Sequence, residues 1–210
     1  MVRVNYTSII EEVFSAITHG IGIILGIIGL ILLLNFAGRN GNALKEVGFT
    51  VFGVSVILSY LVSTLYHSLI FTKAQKVFKI LDHCSIYVLI AGTYTPFALI
   101  ALKGQSGIAL FVIVWIFAIL GIILKSLFIH RFMKLSLVLY LFMGWLVVFE
   151  AKPLFRSMPI QGIFFLALGG LFYTSGVAFY LLKKLPFHHS IWHIFVLCGS
   201  ICHFLALFYL

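Results

Sequence analysis

The last stretch of the chain, residues 187–210, is apolar enough to cross a membrane, yet it contains four histidines. An ionisable side chain inside a membrane span is costly and therefore usually serves a function. Two of the four, His189 and His193, are four residues apart, which places both imidazoles on one face of a helix. This is the spacing with which one helix offers two ligands to one metal ion.

Polar groups in two other apolar runs complete a candidate site. His67 ends a series of polar side chains spaced by four residues that includes Ser63, and Asp82 stands near the start of the following span. Three imidazole ligands with an open fourth position are typical of catalytic zinc. We therefore predict that His67, His189 and His193 bind Zn²⁺. Asp82 would orient a water molecule or accept its proton, Ser63 is a candidate hydrogen-bond donor, and the chemistry would be hydrolysis of an amide or ester.

Each of these residues also has a structural interpretation. A single buried histidine such as His67 commonly hydrogen-bonds a neighbouring carbonyl. His188 and His189 would also suit an interfacial loop, and Asp82 could pair with Lys79 at the level of the lipid head groups. The metal hypothesis therefore depends on the three histidines meeting in space.

The remaining histidines and the cysteines give weaker signals. Cys198, Cys202 and His203 could form a second ligand set, but a cysteine inside a span usually packs as a small hydrophobic residue. The odd number of cysteines, which includes Cys84, argues against a disulfide framework. We interpret His130 as an ordinary loop residue.

The composition places these residues in a membrane. Of the 210 residues, 63% are hydrophobic and 9% are charged, against about 25% charged in an average soluble domain. Apolar runs of about 20 residues match the thickness of a bilayer, so we predict a single all-α domain over residues 1–210 with seven spans and a short amphipathic N-terminal segment, residues 1–16. The first six predicted spans cover residues 16–36, 47–71, 80–102 (kinked at Pro96), 105–128, 132–151 and 160–182; the seventh begins at His188.

The distribution of Lys and Arg predicts the orientation. The N-terminal segment and the loops after the second, fourth and sixth spans carry nine of these residues, and the other loops carry five. Because cytoplasmic loops are enriched in Lys and Arg, we predict a cytoplasmic N-terminus, an external C-terminus and a metal site near the cytoplasmic face. We assign the net charge of +9 to contact with anionic lipid head groups and not to nucleic acid. No cleavable signal peptide is expected.

Four segments together resemble the hemolysin III family, the bacterial branch of the progestin and adiponectin receptor superfamily. They occur in the family's order and spacing and cover the first, second, third and seventh spans. The segments are Glu12-x6-His19 in EEVFSAITHG, Ser63-x3-His67 in VSTLYHSL, LDHCSIYVLIAGTYTPF at residues 81–97, and HSIWHIFVLCGSICHF at residues 189–204.

The resemblance implies a multi-pass protein of the bacterial inner (plasma) membrane, grouped with alkaline ceramidases among presumed membrane hydrolases. It implies that His67, His189 and His193 bind zinc near the cytoplasmic face and that Asp82 holds the zinc-bound water. His203 matches a receptor histidine that is not a zinc ligand.

The sequence departs from the superfamily pattern at two positions. Ser15 stands where asparagine is usual in the first motif, and His83 follows the aspartate where the receptors have tyrosine. The second departure belongs to the bacterial branch, so the resemblance to the receptors does not by itself establish the substrate or the activity.

Three functions follow as hypotheses, and all have membrane lipids as partners. The first is a zinc-dependent hydrolase acting on a lipid amide or ester. The second is a cytolytic, pore-forming hemolysin, which would need polar side chains through the whole membrane depth; here polarity decreases toward the outer leaflet. The third is a receptor-like regulator of lipid homeostasis, with a structural zinc closed by a fourth ligand such as His19 or His83. The oligomeric state is left open.

Overall fold

Helices that could cross a membrane make up most of the molecule. The computed structural model describes residues 6–39, 41–102, 104–128 and 133–210. Within these ranges seven helical stretches are long and apolar enough to span a bilayer, and no strand occurs. The predicted all-α membrane protein with seven spans is therefore confirmed. The helices are α1 (Tyr6–Arg39), α2 (Ala43–Ser68), α3 (Gln75–Pro96), α4 (Gly104–Phe128), α5 (Met133–Trp145), α6 (Ala151–Ser157), α7 (Ile160–Leu181) and α8 (His188–Leu207).

The first span is longer than predicted. The amphipathic N-terminal segment is continuous with it from Tyr6 onward, so one helix of 34 residues carries both. Residues 1–5 of the predicted segment, and His130, lie outside the described residues. Because the helix is unbroken, acidic residues in its first turns keep a fixed position relative to the rest of the bundle.

The loop predicted after residue 151 is helical instead. A 3-10 segment, Leu146–Glu150, connects α5 to α6, and Pro153 lies in the first turn of α6. A proline there costs little because the first N–H groups of a helix have no partner within the helix. The Tyr94 hydroxyl donates to the Gly144 carbonyl and accepts the Val147 N–H, both at 2.9 Å, and so pairs backbone groups at the end of α5.

The disturbance predicted at Pro96 takes the form of a change in helix type. Residues Phe97–Leu102 continue α3 as a π-helix. Proline lacks an N–H donor and its ring crowds the carbonyl of the preceding turn, so regular α-helical bonding cannot continue through it. The Trp115 indole N–H donates to Thr95 Oγ1 at 3.1 Å and ties this point of α3 to α4.

Helices α2, α3 and α8 carry most of the buried polar side chains and form the inside of the bundle. α1 packs on α2 and α8, α2 on α3, α3 on α4, and α7 on α8. The outer faces of α1 and α4 expose isoleucine and leucine side chains, as a lipid-facing surface requires. At Gly92 of α3, an added Cβ would clash with the Ser55 hydroxyl, so α2 and α3 approach closely there.

Hydrogen bonds between buried side chains align the three inner helices. Ser59 of α2 and Ser85 of α3 are joined by a hydrogen bond of 3.2 Å. The Tyr60 hydroxyl donates to Ser200 of α8 at 2.7 Å. Because polar groups in a membrane interior must find partners within the protein, these bonds fix the height of α2 relative to α3 and α8. They thereby set the position of His67, two turns along α2 from Tyr60.

Candidate metal centre

Three histidines from two helices meet where α2 ends and α8 begins. The Nε2 atom of His189 lies 3.3 Å from Nε2 of His67 and 3.1 Å from Nε2 of His193. One nitrogen from each ring lies within 4.8 Å of the other two. Nitrogens bound to one tetrahedral zinc ion at about 2.05 Å would be about 3.3 Å apart. The arrangement that the sequence predicted therefore could hold one metal ion.

Hydrogen bonds alone do not account for these contacts. The Nε2 atom of His189 carries either one proton or one lone pair. It can therefore make one good hydrogen bond, yet it contacts nitrogens of both His67 and His193. A cation between the rings would accept a lone pair from each of the three, so the donor set suits a metal ion better than a histidine network.

Glu12 orients the imidazole of His67. Its Oε2 lies 2.6 Å from Nδ1 of His67, and the two side chains are 26% and 1% exposed. The Nδ1–H group donates to the carboxylate, which leaves the lone pair of Nε2 directed at His189. A carboxylate behind a histidine ligand is a usual feature of metal sites, because it fixes the ring and raises the basicity of the ligand. The sequence placed Glu12 at this depth but gave it no role.

Helix α1 also holds the first turn of α8. The N–H of His189 donates to Glu11 Oε1 at 3.0 Å, and the Ser190 hydroxyl donates to the Glu11 carbonyl at 2.9 Å. Ser15 Oγ lies 3.0 Å from Ser190 Oγ, and since the single Ser190 proton is used, the Ser15 hydroxyl donates in this pair. The N–H groups that open a helix need such external partners. His189 is therefore fixed from α1 and does not lie in a flexible loop.

His19 and His83 do not complete the set of ligands. His19 stacks on His193 with ring centroids 3.7 Å apart and planes at 20°, so it supports that ring from the side. His83 directs Nδ1 at the Lys79 carbonyl, 2.7 Å away. In the part of the chain that the structure describes, the three-histidine group is the one set of three or more candidate ligands. The fourth-ligand hypothesis for His19 or His83 therefore finds no support.

The second candidate set, formed by Cys198, Cys202 and His203, does not assemble among the described residues. The Nε2 atom of His203 is 3.2 Å from the carbonyl of Leu166 on α7, to which it donates. All three cysteines are free. His203 therefore joins α8 to α7, ten residues further along α8 than His193.

Asp82 and Ser63 lie beside the histidines. Asp82 is 6% exposed; it interacts electrostatically with His67 and faces the Ser63 hydroxyl. Ser63 has no hydrogen-bond partner of ordinary geometry among the described residues. Among the described residues Asp82 contacts the imidazole of His83, with Oδ2 3.7 Å from Nδ1, and not the ammonium group of Lys79 as one interpretation had it. A buried carboxylate and a hydroxyl that faces it thus adjoin the candidate metal ligands.

An apolar cavity of about 300 Å³ begins at Asp82 and His189 and continues between α3, α5, α7 and α8 as far as Phe97 and Ile163. An elongated apolar cavity with a few polar groups at one end is suited to a lipid chain. Lys125 also lines it and is 2% exposed. The sequence gave no signal for this burial, because a lysine after an apolar run usually extends to the membrane surface.

Comparison with known proteins gives one family. The family model described as Haemolysin-III related matches residues 7–204, a range that includes all three histidines. The chain is 52% identical over 200 residues to the Hemolysin-3 homolog of Bacillus subtilis (strain 168), covering 95% of this chain and 94% of the relative. It is 52% identical to Hemolysin-3 of Bacillus cereus, with 95% and 91% covered. Human Monocyte to macrophage differentiation factor is 28% identical over 204 residues, with 94% and 83% covered.

Proposed function

The chain belongs to the Haemolysin-III related family, and we propose that it is a zinc-dependent membrane hydrolase acting on a lipid amide or ester. The observation that carries the proposal is the convergence of the His67, His189 and His193 nitrogens beside the buried Asp82, at one end of an apolar cavity. Zinc bound by three imidazoles makes a water molecule acidic enough to supply hydroxide near neutral pH and polarises a carbonyl group.

The ligands are held in position before any substrate binds. Glu12 accepts the Nδ1–H of His67, and His19 stacks on His193. The backbone of His189 is fixed by Glu11. Imidazole nitrogens suit zinc, and a site with three protein ligands leaves one position open for chemistry. These contacts favour a catalytic arrangement over a structural one.

Asp82 and Ser63 supply the proton transfer and the hydrogen bond that hydrolysis needs. Asp82 accepts the proton of the attacking water and returns it to the leaving amine or alcohol. Ser63, on the same side of the site, donates a hydrogen bond to the carbonyl oxygen as negative charge develops on it. The cavity holds the lipid chain away from water, and the apolar surroundings strengthen both interactions.

The predicted orientation places this chemistry in the cytoplasmic leaflet of the bacterial plasma membrane. Lys and Arg are concentrated in the loops at the end of the bundle that contains the three histidines, and such loops are cytoplasmic. A lipid of that leaflet could enter sideways between helices, with its chain in the cavity and its carbonyl near Asp82.

The first test is the zinc content of the full chain, purified in detergent after growth in zinc-supplemented medium. We expect about one zinc per chain in the wild type and none in His193→Ala, because two histidines hold zinc weakly. His203→Ala removes a buried histidine from the same helix outside the metal centre and should keep the zinc. Wild-type protein without zinc, or equal zinc in His193→Ala, would overturn the proposal.

The second test is turnover of lipid amides and esters by the zinc-loaded protein, with Asp82→Asn as the variant. Removing a general base typically lowers the rate by about 10²–10⁴-fold. We expect that loss with the zinc content unchanged. Zinc retention with no turnover of any lipid by the wild type would favour the non-catalytic regulator.

Cytolysis is the second candidate, because the relative from Bacillus cereus is named Hemolysin-3. The metal centre gathers its ionisable side chains at one end of the bundle, whereas a pore needs polar groups along its whole length. If the protein is cytolytic, lysis would therefore result from hydrolysis of membrane lipids and not from a pore. Reconstituted wild type and Asp82→Asn should differ in lytic activity if this is correct; equal lysis by both would indicate a pore independent of hydrolysis.

A further inference from the structure

Lys125 places a positive charge inside the cavity that the hydrolytic scheme does not use. It lies in the last turn of α4, is 2% exposed, and lines the same cavity as Asp82 and His189. A lysine near the end of a span ordinarily extends its ammonium group to the aqueous surface. The Lys125 side chain is instead covered by protein and borders the space available to a ligand.

This charge has no acidic partner in the described ranges. The carboxylate contacts there join Glu12 to His67 and Asp82 to His83. The groups that interact electrostatically with Lys125 are the Cys84 thiol, the like-charged Lys79 and the His83 imidazole. A lysine that borders an apolar cavity without a counter-charge is costly, and an anion bound in the cavity would offset that cost.

We propose that the cavity binds an anionic lipid whose carboxylate or phosphate pairs with the Lys125 ammonium group while the chain lies along the apolar wall. The inference rests on the proposed function for the position of the scissile carbonyl, near the histidines. It narrows the substrate to amides and esters that carry an acidic group close to the bond that is cleaved. A neutral lipid of the same chain length would leave Lys125 unpaired.

The electrostatic surroundings of the cavity support an anion. Lys183 and Lys184 are exposed at the same end of the bundle, where α7 ends. Clustered positive charge raises the local concentration of anionic ligands and speeds their binding. These surface lysines would attract an acidic lipid to this end of the bundle, and Lys125 would bind its acidic group at the cavity.

The test is equilibrium binding of three radiolabelled lipids with one oleoyl chain to the full-length, zinc-loaded protein in neutral detergent. Oleate carries a carboxylate, oleoyl lysophosphatidate a phosphate, and mono-oleoylglycerol no charge. The variants are Lys125→Met, Lys125→Gln and Lys125→Arg. Lys134→Met, the matched control, removes an exposed lysine from the same end of the bundle. Zinc content is measured in every sample.

We expect the wild type and Lys134→Met to bind at least one anionic lipid about tenfold or more tightly than mono-oleoylglycerol, as a charge-assisted hydrogen bond would give. Lys125→Met and Lys125→Gln should lose most of that preference, since only coordination by the metal would remain to favour an acidic group, and Lys125→Arg should keep it. Comparing the affinity for oleate with the affinity for oleoyl lysophosphatidate shows whether the site prefers a carboxylate or a phosphate.

Two results would overturn the inference. The first is a wild type without preference for either anion, which decides the question even if the neutral variants fail to fold. The second is a folded Lys125→Met or Lys125→Gln that keeps the wild-type preference. The zinc content tests the proposed function independently of the anion site. A protein that contains no zinc but still prefers anions through Lys125 would refute the hydrolase proposal and support the anion site.

Discussion

Replacing Glu12 tests whether the first helix controls the metal centre. Glu12→Gln keeps the size of the side chain and an oxygen that can accept the Nδ1–H of His67, but it removes the charge. Glu12→Ala removes both. The wild-type contact is 2.6 Å long and involves a histidine side chain that is 1% exposed.

The expected size of the effect follows from the type of hydrogen bond. A bond to a charged group contributes about 1.5–3 kcal/mol and a neutral one about 1 kcal/mol. Loss of the charge alone should therefore weaken zinc binding by about tenfold, and loss of the whole contact by up to about a hundredfold. The order of affinities should be wild type, then Glu12→Gln, then Glu12→Ala.

Zinc affinity can be measured in detergent by competition with a chromophoric chelator of known affinity. Glu46→Gln is the control, because Glu46 is an exposed carboxylate in the first turn of α2, at the opposite end of that helix from His67. We expect it to match the wild type. A Glu12→Ala protein with wild-type zinc affinity would refute the assignment of Glu12 as the residue that positions His67.

The other predictions concern packing and chemistry. Gly92→Ala should lower the melting temperature in detergent because its Cβ would clash with the Ser55 hydroxyl, whereas Gly144→Ala, whose Cβ meets nothing within 4 Å, should not; equal melting would contradict the close approach of α2 and α3. Tyr94→Phe should cost about 1–3 kcal/mol of unfolding free energy, because two backbone groups at the end of α5 lose their partner. Unchanged urea or SDS unfolding would refute that role. Asp82→Asn should bind zinc with an affinity within a few fold of the wild type, and loss of the metal in this variant would make Asp82 a ligand.

The sequence predicted the seven spans and the histidine cluster because both follow from local rules. Apolar length identifies a span, and a spacing of four residues puts His189 and His193 on one helical face. Consecutive spans run in opposite directions, so the end of the second span and the start of the seventh lie at the same face of the membrane. His67 could therefore be grouped with His189 and His193 from its position along the second span alone. No knowledge of how the helices pack sideways was needed for these predictions.

The contacts that depend on lateral packing could not be predicted. Glu12 reaches His67 only because α1 lies against both α2 and α8. Lys125 is buried only because α4 places it at the cavity. The 3-10 segment before α6 is held by Tyr94, which accepts the N–H of Val147 from 53 residues away. Periodicity within one helix contains no information about such neighbours.

The hydrogen bond between Glu11 and the first turn of α8 joins residues 178 positions apart, and His67 is separated from His189 by 122. During synthesis the first six spans leave the ribosome before the last pair of histidines exists, so the metal centre is completed only when α8 inserts. If the chain binds zinc as proposed, metal loading is therefore a late event in biogenesis. A nascent chain stopped before residue 188 would carry Glu12 and His67 in the membrane with no means of retaining the ion.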